Sequence, residues 1–377
     1  MQIFNKLKSY LGFSEVGKAV NENIDVLIGL GQKYYNQNDF QKSQFFFSRV
    51  LKSNPNNVDY LNMYGNALQK NNQTELAIEV FKKACSNSPG DLRAYKSLGN
   101  IYLNQSEPKS AVEIYLQAVK VNPSFADGYY QIGFINYSIF NDHEAAVNYF
   151  KKSINYDPLN YNAYIFLGDI EYNSKKYDQA LLYYQKAAKV NDKVTEPFYK
   201  LGLVYEEKHN ENTAFNYFMK VLEINDKHER ALFKIGKYYD EKGNKDLAID
   251  YYKKVEKANH ENSEVLFNIG AAYFNIDKFD LARAYLQKFS KLSRNNRDAK
   301  ILLARILEEE GKTEEQIELL QSVLEKGPVN DEVSLMLAHA YFRNNNKEKA
   351  VEYFIELSKH GNSEAITFLK NNNISIG

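Results

Sequence analysis

Residues 201–236 read LGLVYEEKHNENTAFNYFMKVLEINDKHERALFKIG. This stretch decides the fold because it spans one period of the chain, with Gly202 and Gly236 placed 34 residues apart. The series is Gly31, Gly65, Gly99, Gly133, Gly168, Gly202, Gly236 and Gly270, continued by Ala304 and Ala338, with a step of 34 residues except for 35 between 133 and 168. Such a period indicates one supersecondary unit copied about ten times and stacked, so that function lies on a long repetitive surface.

Each period predicts two antiparallel amphipathic helices. Phe198 lies four residues before Gly202 on one face of a first helix, and Ala214 and Phe218 lie four residues apart on a second helix. Polar segments such as NQND (36–39) and EKGNK (241–245) predict the turns between the helices. Prolines that would stop the second helix recur at Pro55, Pro89, Pro123, Pro158 and Pro328. The small residues of both helices predict close helix crossings.

The composition and the motifs do not favour a nucleic-acid partner or a catalytic function. Lys+Arg and Asp+Glu are balanced at 48 each, so that the overall charge does not favour nucleic acid as a partner. The single Cys85 and the absence of a membrane-length apolar run or a cleavable leader predict a cytoplasmic protein. The six histidines lack metal-ligand spacing, and the glycines form no phosphate loop. We therefore expect no catalytic residue, no metal and no cofactor.

The segments LGNIY (98–102), LGLVY (201–205), IGKYY (235–239) and IGAAY (269–273), with the small residue and the aromatic of the second helix, resemble the tetratricopeptide repeat. The resemblance covers residues 24–362 and implies an all-α fold: an α-solenoid, a right-handed superhelix of about ten antiparallel helix pairs. We expect repeats 1–8 over 24–296, divergent repeats 9 and 10 over 297–362, and a C-terminal capping helix with a tail over 363–377. Ser363 would cap that helix, and Ile366 and Leu369 would cover the last open face.

Residues 1–23 form a separate N-terminal segment. Ile3, Phe4, Leu7, Tyr10 and Leu11 make one helical stripe. The stripe favours a cap on the first repeat, and the alternative is a helix that docks on a partner. Membrane binding through residues 2–11 would be weak, because the polar side carries only Lys6 and Lys8. A peripheral position on a membrane-associated assembly therefore stays an alternative location.

The family resemblance implies that the first helices line an inner, concave groove. Inward positions lie three residues before, one after and four after each glycine, and this rule also selects Ile165 in the fifth repeat. The predicted partner-binding residues are Lys96, Asn100, Tyr130, Phe134, Tyr137, Asp169, Tyr172, Tyr199, Leu203, Phe233, Lys237, Phe267 and Phe274. Aromatic side chains anchor interfaces, so the middle of this row favours a binding site for a protein or peptide segment, extended or helical. The structural alternative is that these rings pack against neighbouring helices.

Beyond the rings, acidic residues predict an edge that would favour a basic segment: Glu206, Glu207, Asp240, Glu241, Glu308 and Glu309. The family's capture of a C-terminal carboxylate is disfavoured. Lys96 and Asn100 match its first pair of residues, but Gln131, Asn162 and Phe166 stand where the other elements are needed.

The leading interpretation is a non-enzymatic adaptor or scaffold that binds a partner polypeptide in the concave groove. A structural component of a large envelope, secretion or motility assembly is the first alternative, and an unrecognised enzyme is the second.

Overall fold

The structure is a computed structural model that describes residues 24–293, 296–325, 330–372 and 374. The chain divides into two compact units, Met1–Asp192 (unit 1) and Lys193–Gly377 (unit 2). In unit 1 the helices are α1 (Ile24–Asn36), α2 (Phe40–Ser53), α3 (Val58–Lys70), α4 (Thr74–Asn87), α5 (Leu92–Asn104), α6 (Pro108–Val121), α7 (Ala126–Ile135), the π-helix (Asn136–Phe140), α8 (His143–Tyr156), α9 (Tyr161–Asn173) and α10 (Tyr177–Val190).

In unit 2 the helices are α11 (Thr195–Glu207), α12 (Glu211–Ile224), α13 (Glu229–Glu241), α14 (Lys245–Ala258), α15 (Ser263–Asn275), α16 (Phe279–Leu292), α17 (Arg297–Glu309), α18 (Thr313–Leu324), α19 (Asp331–Arg343), α20 (Lys347–Lys359) and α21 (Ser363–Asn371). Odd-numbered helices up to α19 are the first helices of repeats 1 to 10, and even-numbered helices are the second. Within each unit, each first helix packs on its own second helix, and most helices contact only their neighbours in sequence. The prediction of an all-α solenoid built from helix pairs is confirmed.

The glycine of each first helix is required by a side chain of the second helix. A Cβ atom added to Gly168 would stand 2.4 Å from Cε1 of Tyr184, and one added to Gly202 would stand 2.4 Å from Cε1 of Phe218. Both rings are almost fully buried. At Gly270 the neighbour is Leu286, whose Cγ would be 2.9 Å away. The predicted close crossing therefore has a specific cause, which is a large side chain lying flat on a helix that has no side chain at that point.

The turn between the two helices of a repeat has a constant geometry. One residue in each turn adopts the left-handed region, for example Asn38 with φ 60°, Lys175 with φ 59° and Gly243 with φ 80°. This residue lies seven positions after the repeat's small residue except in repeat 4, where Asn141 lies eight after Gly133. A left-handed residue past the helix end lets the chain reverse while the last carbonyls remain bonded.

Five of the nine first helices whose cap residue is described begin at an asparagine cap. The side chains of Asn160, Asn262 and Asn330 each accept a hydrogen bond from the backbone N–H three residues later. His228 takes the same position in repeat 7, where its Nδ1 accepts from the N–H of Ala231 at 3.2 Å. In repeat 6 the position is held by Val194, which provides no side-chain bond. A missing cap of this kind leaves an N–H without a protein acceptor.

The C-terminal helix differs in detail from the sequence expectation. It spans Ser363–Asn371, but Asn362 rather than Ser363 provides the cap, accepting from the N–H of Ala365 at 3.0 Å. Ala365 and Leu369 are buried, whereas Ile366 is only partly so. The stripe predicted over residues 3–11 and the turn at Pro328 lie outside the described residues. Within the described ranges, no helix is long and apolar enough to cross a membrane.

Candidate functional site

The predicted site residues all lie on first helices or, for Tyr137, on the π-helix that continues one. Lys96, Asn100 and Lys237 are exposed, and the others are partly buried. Each therefore keeps accessible surface on what we term the first-helix surface of its unit. Ile165 differs from the expectation, because it is 3% exposed and belongs to the core.

The rings of unit 1 form an aromatic cluster, defined here as Tyr130, Phe134, Tyr137, Phe150 and Phe166. The ring centroid of Phe166 lies 5.3 Å from that of Tyr137, 5.6 Å from that of Phe134 and 6.3 Å from that of Tyr130. Beneath them, the ring of the fully buried Phe150 stacks on Phe166 at 5.3 Å. Four of the five rings are only partly buried, so the cluster is anchored below and open above.

Phe166 is the member that the inward-position rule missed. It lies two residues before Gly168, one position beyond Ile165, and it contacts the three rings contributed by repeat 4. The sequence did offer one indication of this role. Phe166 is an aromatic residue next to the aliphatic Ile165, and the preceding first helix also contains aromatic residues. The alternative that these rings pack on the neighbouring first helix is correct for their inner faces.

The polar residues Asn100 and Asp169, predicted at this site, form hydrogen bonds within their own repeats. Asn100 Oδ1 accepts a hydrogen bond from the Tyr115 hydroxyl at 3.0 Å, and Asp169 Oδ1 accepts one from the Tyr184 hydroxyl at 2.6 Å. Burial raises the pKa of both tyrosines, and the nearby carboxylates of Asp127 and Asp169, respectively, raise it further. These hydroxyls therefore remain protonated donors.

Lys96 is also engaged within the chain, since its Nζ lies 2.7 Å from Oδ2 of Asp127. Burial is the main cause that raises the pKa of Tyr137, and the charge of Asp169 adds to it. Tyr172, the remaining predicted residue of unit 1, packs against Tyr177 with ring centroids 5.7 Å apart.

In unit 2 the predicted rings pack individually on second-helix residues of their own repeats. Tyr199 lies 5.5 Å from Phe218, Phe233 lies 5.6 Å from Tyr252, and Phe267 lies 5.4 Å from Phe289. Phe274 packs on Phe279 at 5.7 Å, and Leu203 is partly buried. These residues form a row of separate half-buried side chains, which contrasts with the cluster of unit 1.

The predicted acidic edge is largely compensated by cations of the same unit. Glu206 lies 2.5 Å from Lys234, Asp240 lies 2.8 Å from Lys245, and Glu308 lies 2.8 Å from Arg343. Lys237, predicted as a binding residue, lies 3.6 Å from Glu241. A basic segment would have to compete with these internal cations.

His, Cys, Asp and Glu are the side chains that could hold a metal ion or act as a nucleophile. In the part of the chain that the structure describes, no cluster of His, Cys, Asp and Glu could hold a metal ion. Burial raises the pKa of the Cys85 thiol to about 12, with the charge of Asp91 as a second cause. This thiol therefore stays protonated near neutral pH and is a poor nucleophile.

Comparison with protein families gives one consistent result. Profiles described as "Tetratricopeptide repeat" match residues 46–79, 92–125, 140–193, 195–228, 229–262, 267–331 and 307–366. Together these matches cover more than half of the chain. Among curated proteins, none matches this sequence.

A solved structure with a TM-score above 0.5 shows the same fold. The C-terminal part of a TPR repeat-containing protein from Cytophaga hutchinsonii aligns with a TM-score of 0.52 and 17% identity, covering 63% of this chain and 98% of that one. PilF of Pseudomonas aeruginosa aligns with a TM-score of 0.49 and 20% identity, covering 56% and 96% of the two chains. At these identities the first alignment supports the architecture and nothing more specific.

Proposed function

Because this chain belongs to the tetratricopeptide repeat family, we propose that it is a non-enzymatic adaptor that binds a segment of a partner protein on its first-helix surfaces. The observation that carries the proposal is the aromatic cluster of unit 1. Its rings are held from below by Phe150 and remain open on the other side. Rigid, half-exposed aromatic side chains are what protein interfaces use as anchors, because they bury a large area with little loss of side-chain entropy.

The polar neighbours support an apolar rather than an ionic mode of recognition. Asn100, Asp169 and Lys96 already have partners within unit 1. In unit 2 the row of Tyr199, Phe233 and Phe267 provides separate apolar contacts that could extend the binding surface. Basic residues in the partner would add attraction to the acidic edge only by displacing the internal cations.

We place the protein in the cytosol as part of the same proposal. The single Cys85 cannot form an internal disulfide, which fits a reducing compartment. The chain would then act by bringing a partner to a location or into an assembly, without chemistry of its own.

A pull-down from native lysate tests the proposal. The wild type is compared with a variant in which Tyr130, Phe134, Tyr137 and Tyr172 are changed to alanine. The matched control changes Leu159 and Leu182 to alanine, since these are 73% and 60% exposed in unit 1 and lie outside the predicted site. Partners should be lost only in the ring variant, and circular dichroism must show that it is still folded. Identical partner sets for all three proteins would refute the binding role of the cluster.

A further inference from the structure

Charge is segregated along the second helices of unit 1, although the whole chain carries equal numbers of basic and acidic residues. The last seven residues of α2, α4, α6, α8 and α10 contain no Asp or Glu. They contain nine basic residues, which we term the basic edge of unit 1: Arg49, Lys52, Lys82, Lys83, Lys120, Lys151, Lys152, Lys186 and Lys189. The acidic residues of these helices all lie in the first seven positions: Glu75, Glu79, Glu113, Glu144 and Asp178.

The residues of the basic edge lie on one face of the second helices. Counted from the ring that packs on the repeat's glycine, such as Phe81 or Phe150, they stand one, two or five residues later. Positions three or four residues apart are neighbours on a helix surface, so these offsets form one stripe. The lysines are exposed, and Arg49 is partly buried. Within the described ranges, none of the nine forms an ion pair.

The helix dipole accounts for only part of this pattern. Cations in the last turn of a helix interact favourably with its carbonyl end, and the effect falls off within that turn. Lys52, Lys120 and Lys189 lie in last turns. The last turns of α4 and α8 hold no basic residue, and the lysine pairs of these helices lie further from the end. Most of the basic edge therefore has another cause.

The matching positions of unit 2 are mixed in charge. Lys288 lies 3.4 Å from Glu256. Glu223 stands five residues after Phe218, at the offset that holds Lys120 and the other last-turn lysines of unit 1. The repeat thus tolerates acidic residues on this face. Their exclusion is a property of unit 1 and is not imposed by the fold.

Tyrosine rings hold two of these cations in place. The Nζ atom of Lys152 lies 5.5 Å from the ring centroids of Tyr129 and Tyr149, and that of Lys186 lies 5.8 Å from the centroid of Tyr164. A ring attracts an ammonium group through its face but does not neutralise the charge. These charges are therefore arranged before a partner binds, which lowers the entropy lost on binding.

Exposed apolar side chains lie among the cations. Tyr156 stacks on Tyr129 with ring centroids 5.7 Å apart, one helical turn after Lys152, and is 45% exposed. Val121 directly follows Lys120 and is 43% exposed. Tyrosine and lysine side chains both combine an apolar body with a polar tip, which suits a boundary between water and an apolar layer.

Leu159 is the most exposed of the large apolar side chains that the structure describes, at 73%. It lies in the segment between α8 and α9, which hydrogen bonds hold in one conformation. The N–H of Leu159 donates to Oδ1 of Asp157 at 3.0 Å, and Nδ2–H of Asn160 donates to Oγ of Ser153 at 3.1 Å. An ordered turn therefore presents this leucine to the surroundings at the end of a helix of the basic edge.

An anionic bilayer offers both layers that such a surface requires. Its headgroups attract lysine and arginine, and the acyl boundary beneath them accepts leucine, valine and the tyrosine ring. A nucleic-acid backbone or a run of acidic residues would pair with the cations. Neither would offer Val121 and Leu159 an apolar environment.

We infer that the basic edge of unit 1, together with Val121, Tyr156 and Leu159, binds the surface of a membrane that contains anionic lipids. Charge and an apolar anchor are the two signals that stable peripheral binding requires. The inference goes beyond the proposed function, because the basic edge lies on second helices whereas the aromatic cluster opens on the first-helix surface.

Vesicle flotation with the full chain measures this binding. Vesicles of phosphatidylglycerol and phosphatidylcholine in about equal parts are compared with vesicles of phosphatidylcholine alone. The protein should bind the anionic vesicles only, and added salt should weaken the binding because it screens the charges. Absence of binding to the anionic vesicles, or equal binding to both kinds, would overturn the inference.

Two sets of lysine substitutions with the same change in net charge separate the basic edge from the overall charge. The edge variant has glutamine at Lys83, Lys151, Lys152 and Lys186. The control has glutamine at four exposed lysines elsewhere in unit 1: Lys33, Lys70, Lys109 and Lys175. A lysine near an anionic surface strengthens binding about fivefold, so the edge variant should bind at least about a hundredfold more weakly and the control should lose little. Equal losses would refute a role for the edge.

A second pair of variants tests the apolar anchor. Leu159→Ser should weaken vesicle binding by roughly tenfold, since a leucine would no longer leave water. Leu182→Ser is the matched control, because Leu182 is 60% exposed in the first half of α10, and it should bind as the wild type does. Unchanged binding by Leu159→Ser would reject the membrane as partner. Binding of a thymidine oligonucleotide or of polyglutamate in place of anionic vesicles would reject it as well.

The ring variant of the pull-down keeps this test separate from the proposed function. It should bind anionic vesicles as the wild type does, because the basic edge is intact. The pull-down control changes Leu159, so weaker vesicle binding by that control would agree with the inference. Loss of vesicle binding in the ring variant, with its fold confirmed by circular dichroism, would overturn the assignment of membrane binding to the basic edge.

Discussion

Replacing Gly202 by alanine tests whether the glycine period is set by the ring that lies on it. The new Cβ would stand 2.4 Å from Cε1 of Phe218, whereas ordinary contact begins near 3.4 Å, so that the ring must move by about 1 Å. Phe218 is 2% exposed and has little room to move. Overpacking of this kind costs about 1–3 kcal/mol, and the better helix propensity of alanine returns about 1 kcal/mol. Because the ring is confined, we expect a cost at the upper end of this range, about 3 kcal/mol, and therefore a net loss of about 2 kcal/mol in the free energy of unfolding.

Gly270→Ala is the matched control in the same unit. Its neighbour Leu286 is a flexible side chain, and repeat 9 already pairs Ala304 with Leu320 at this position. Overpacking and helix propensity should then nearly cancel, which leaves a change of about 0 kcal/mol. The two variants should differ by about 4–8 °C in melting temperature for a unit of this size.

A double substitution completes the test. Gly202→Ala with Phe218→Leu reproduces the Ala304–Leu320 pair, so alanine should cost little once the ring is gone. Urea unfolding followed by circular dichroism gives the free energies, and an unchanged m-value shows that the same structure unfolds. A coupling energy of at least about 1 kcal/mol is expected between the two positions. Equal stability of both alanine variants, or strictly additive effects, would refute the steric explanation of the period.

Two further predictions concern the caps of first helices. Val194→Asn should stabilise unit 2 by about 1 kcal/mol, because φ −103° and ψ 131° at this position already suit a cap that lacks its acceptor; an unchanged urea midpoint would contradict this. His228 should make unit 2 less stable in acid. Burial, aided by Arg230, lowers its pKa below 6.5, and its Nδ1 accepts from Ala231 only when unprotonated. The unfolded chain then binds the proton first, so stability is full above about pH 6.5 and falls as the pH drops below it. His228→Asn keeps an acceptor that cannot titrate, and its urea midpoint should fall less between pH 7 and 5 than that of the wild type.

The helix pairs could be predicted from the sequence because their cause is periodic. Gly202, Ala214 and Phe218 repeat at fixed offsets, and each offset corresponds to one packing contact that every repeat must make. The cap of the last helix was assigned one residue late, to Ser363, since both Asn362 and Ser363 are suitable cap residues. Neighbouring candidates of similar propensity are separated only by backbone geometry.

The site was less predictable because the residues that form it differ from one repeat to the next. The inward-position rule selected Ile165, but Ile165 is buried in the core, and the neighbouring Phe166 is the residue that joins the aromatic cluster. Asn100 and Asp169 were predicted to bind a partner, and the structure engages both with buried tyrosine hydroxyls. The sequence contained a sign of these hydrogen bonds. The second-helix position that packs on the glycine is phenylalanine in several repeats but tyrosine at Tyr115 and Tyr184, and a buried tyrosine hydroxyl needs an acceptor.

The 35-residue step shows how a repeat scaffold acquires a distinct surface with little change to its core. One residue advances a helix by about 100°, which is enough to carry a side chain from one face to another. In repeat 6, where the period is kept, Tyr205 of the first helix packs against Tyr217 of the second helix. In repeat 4 the added residue lies in the turn after Tyr137, where Ile139 is 50% exposed and Phe140 is 38% exposed, and the left-handed residue Asn141 comes one position later than in the other repeats. The glycine contact at Gly133, where an added Cβ would lie 2.8 Å from Phe150, is unaffected. Because the insertion is absorbed before the second helix begins, the surface changes while the packing that defines the repeat does not.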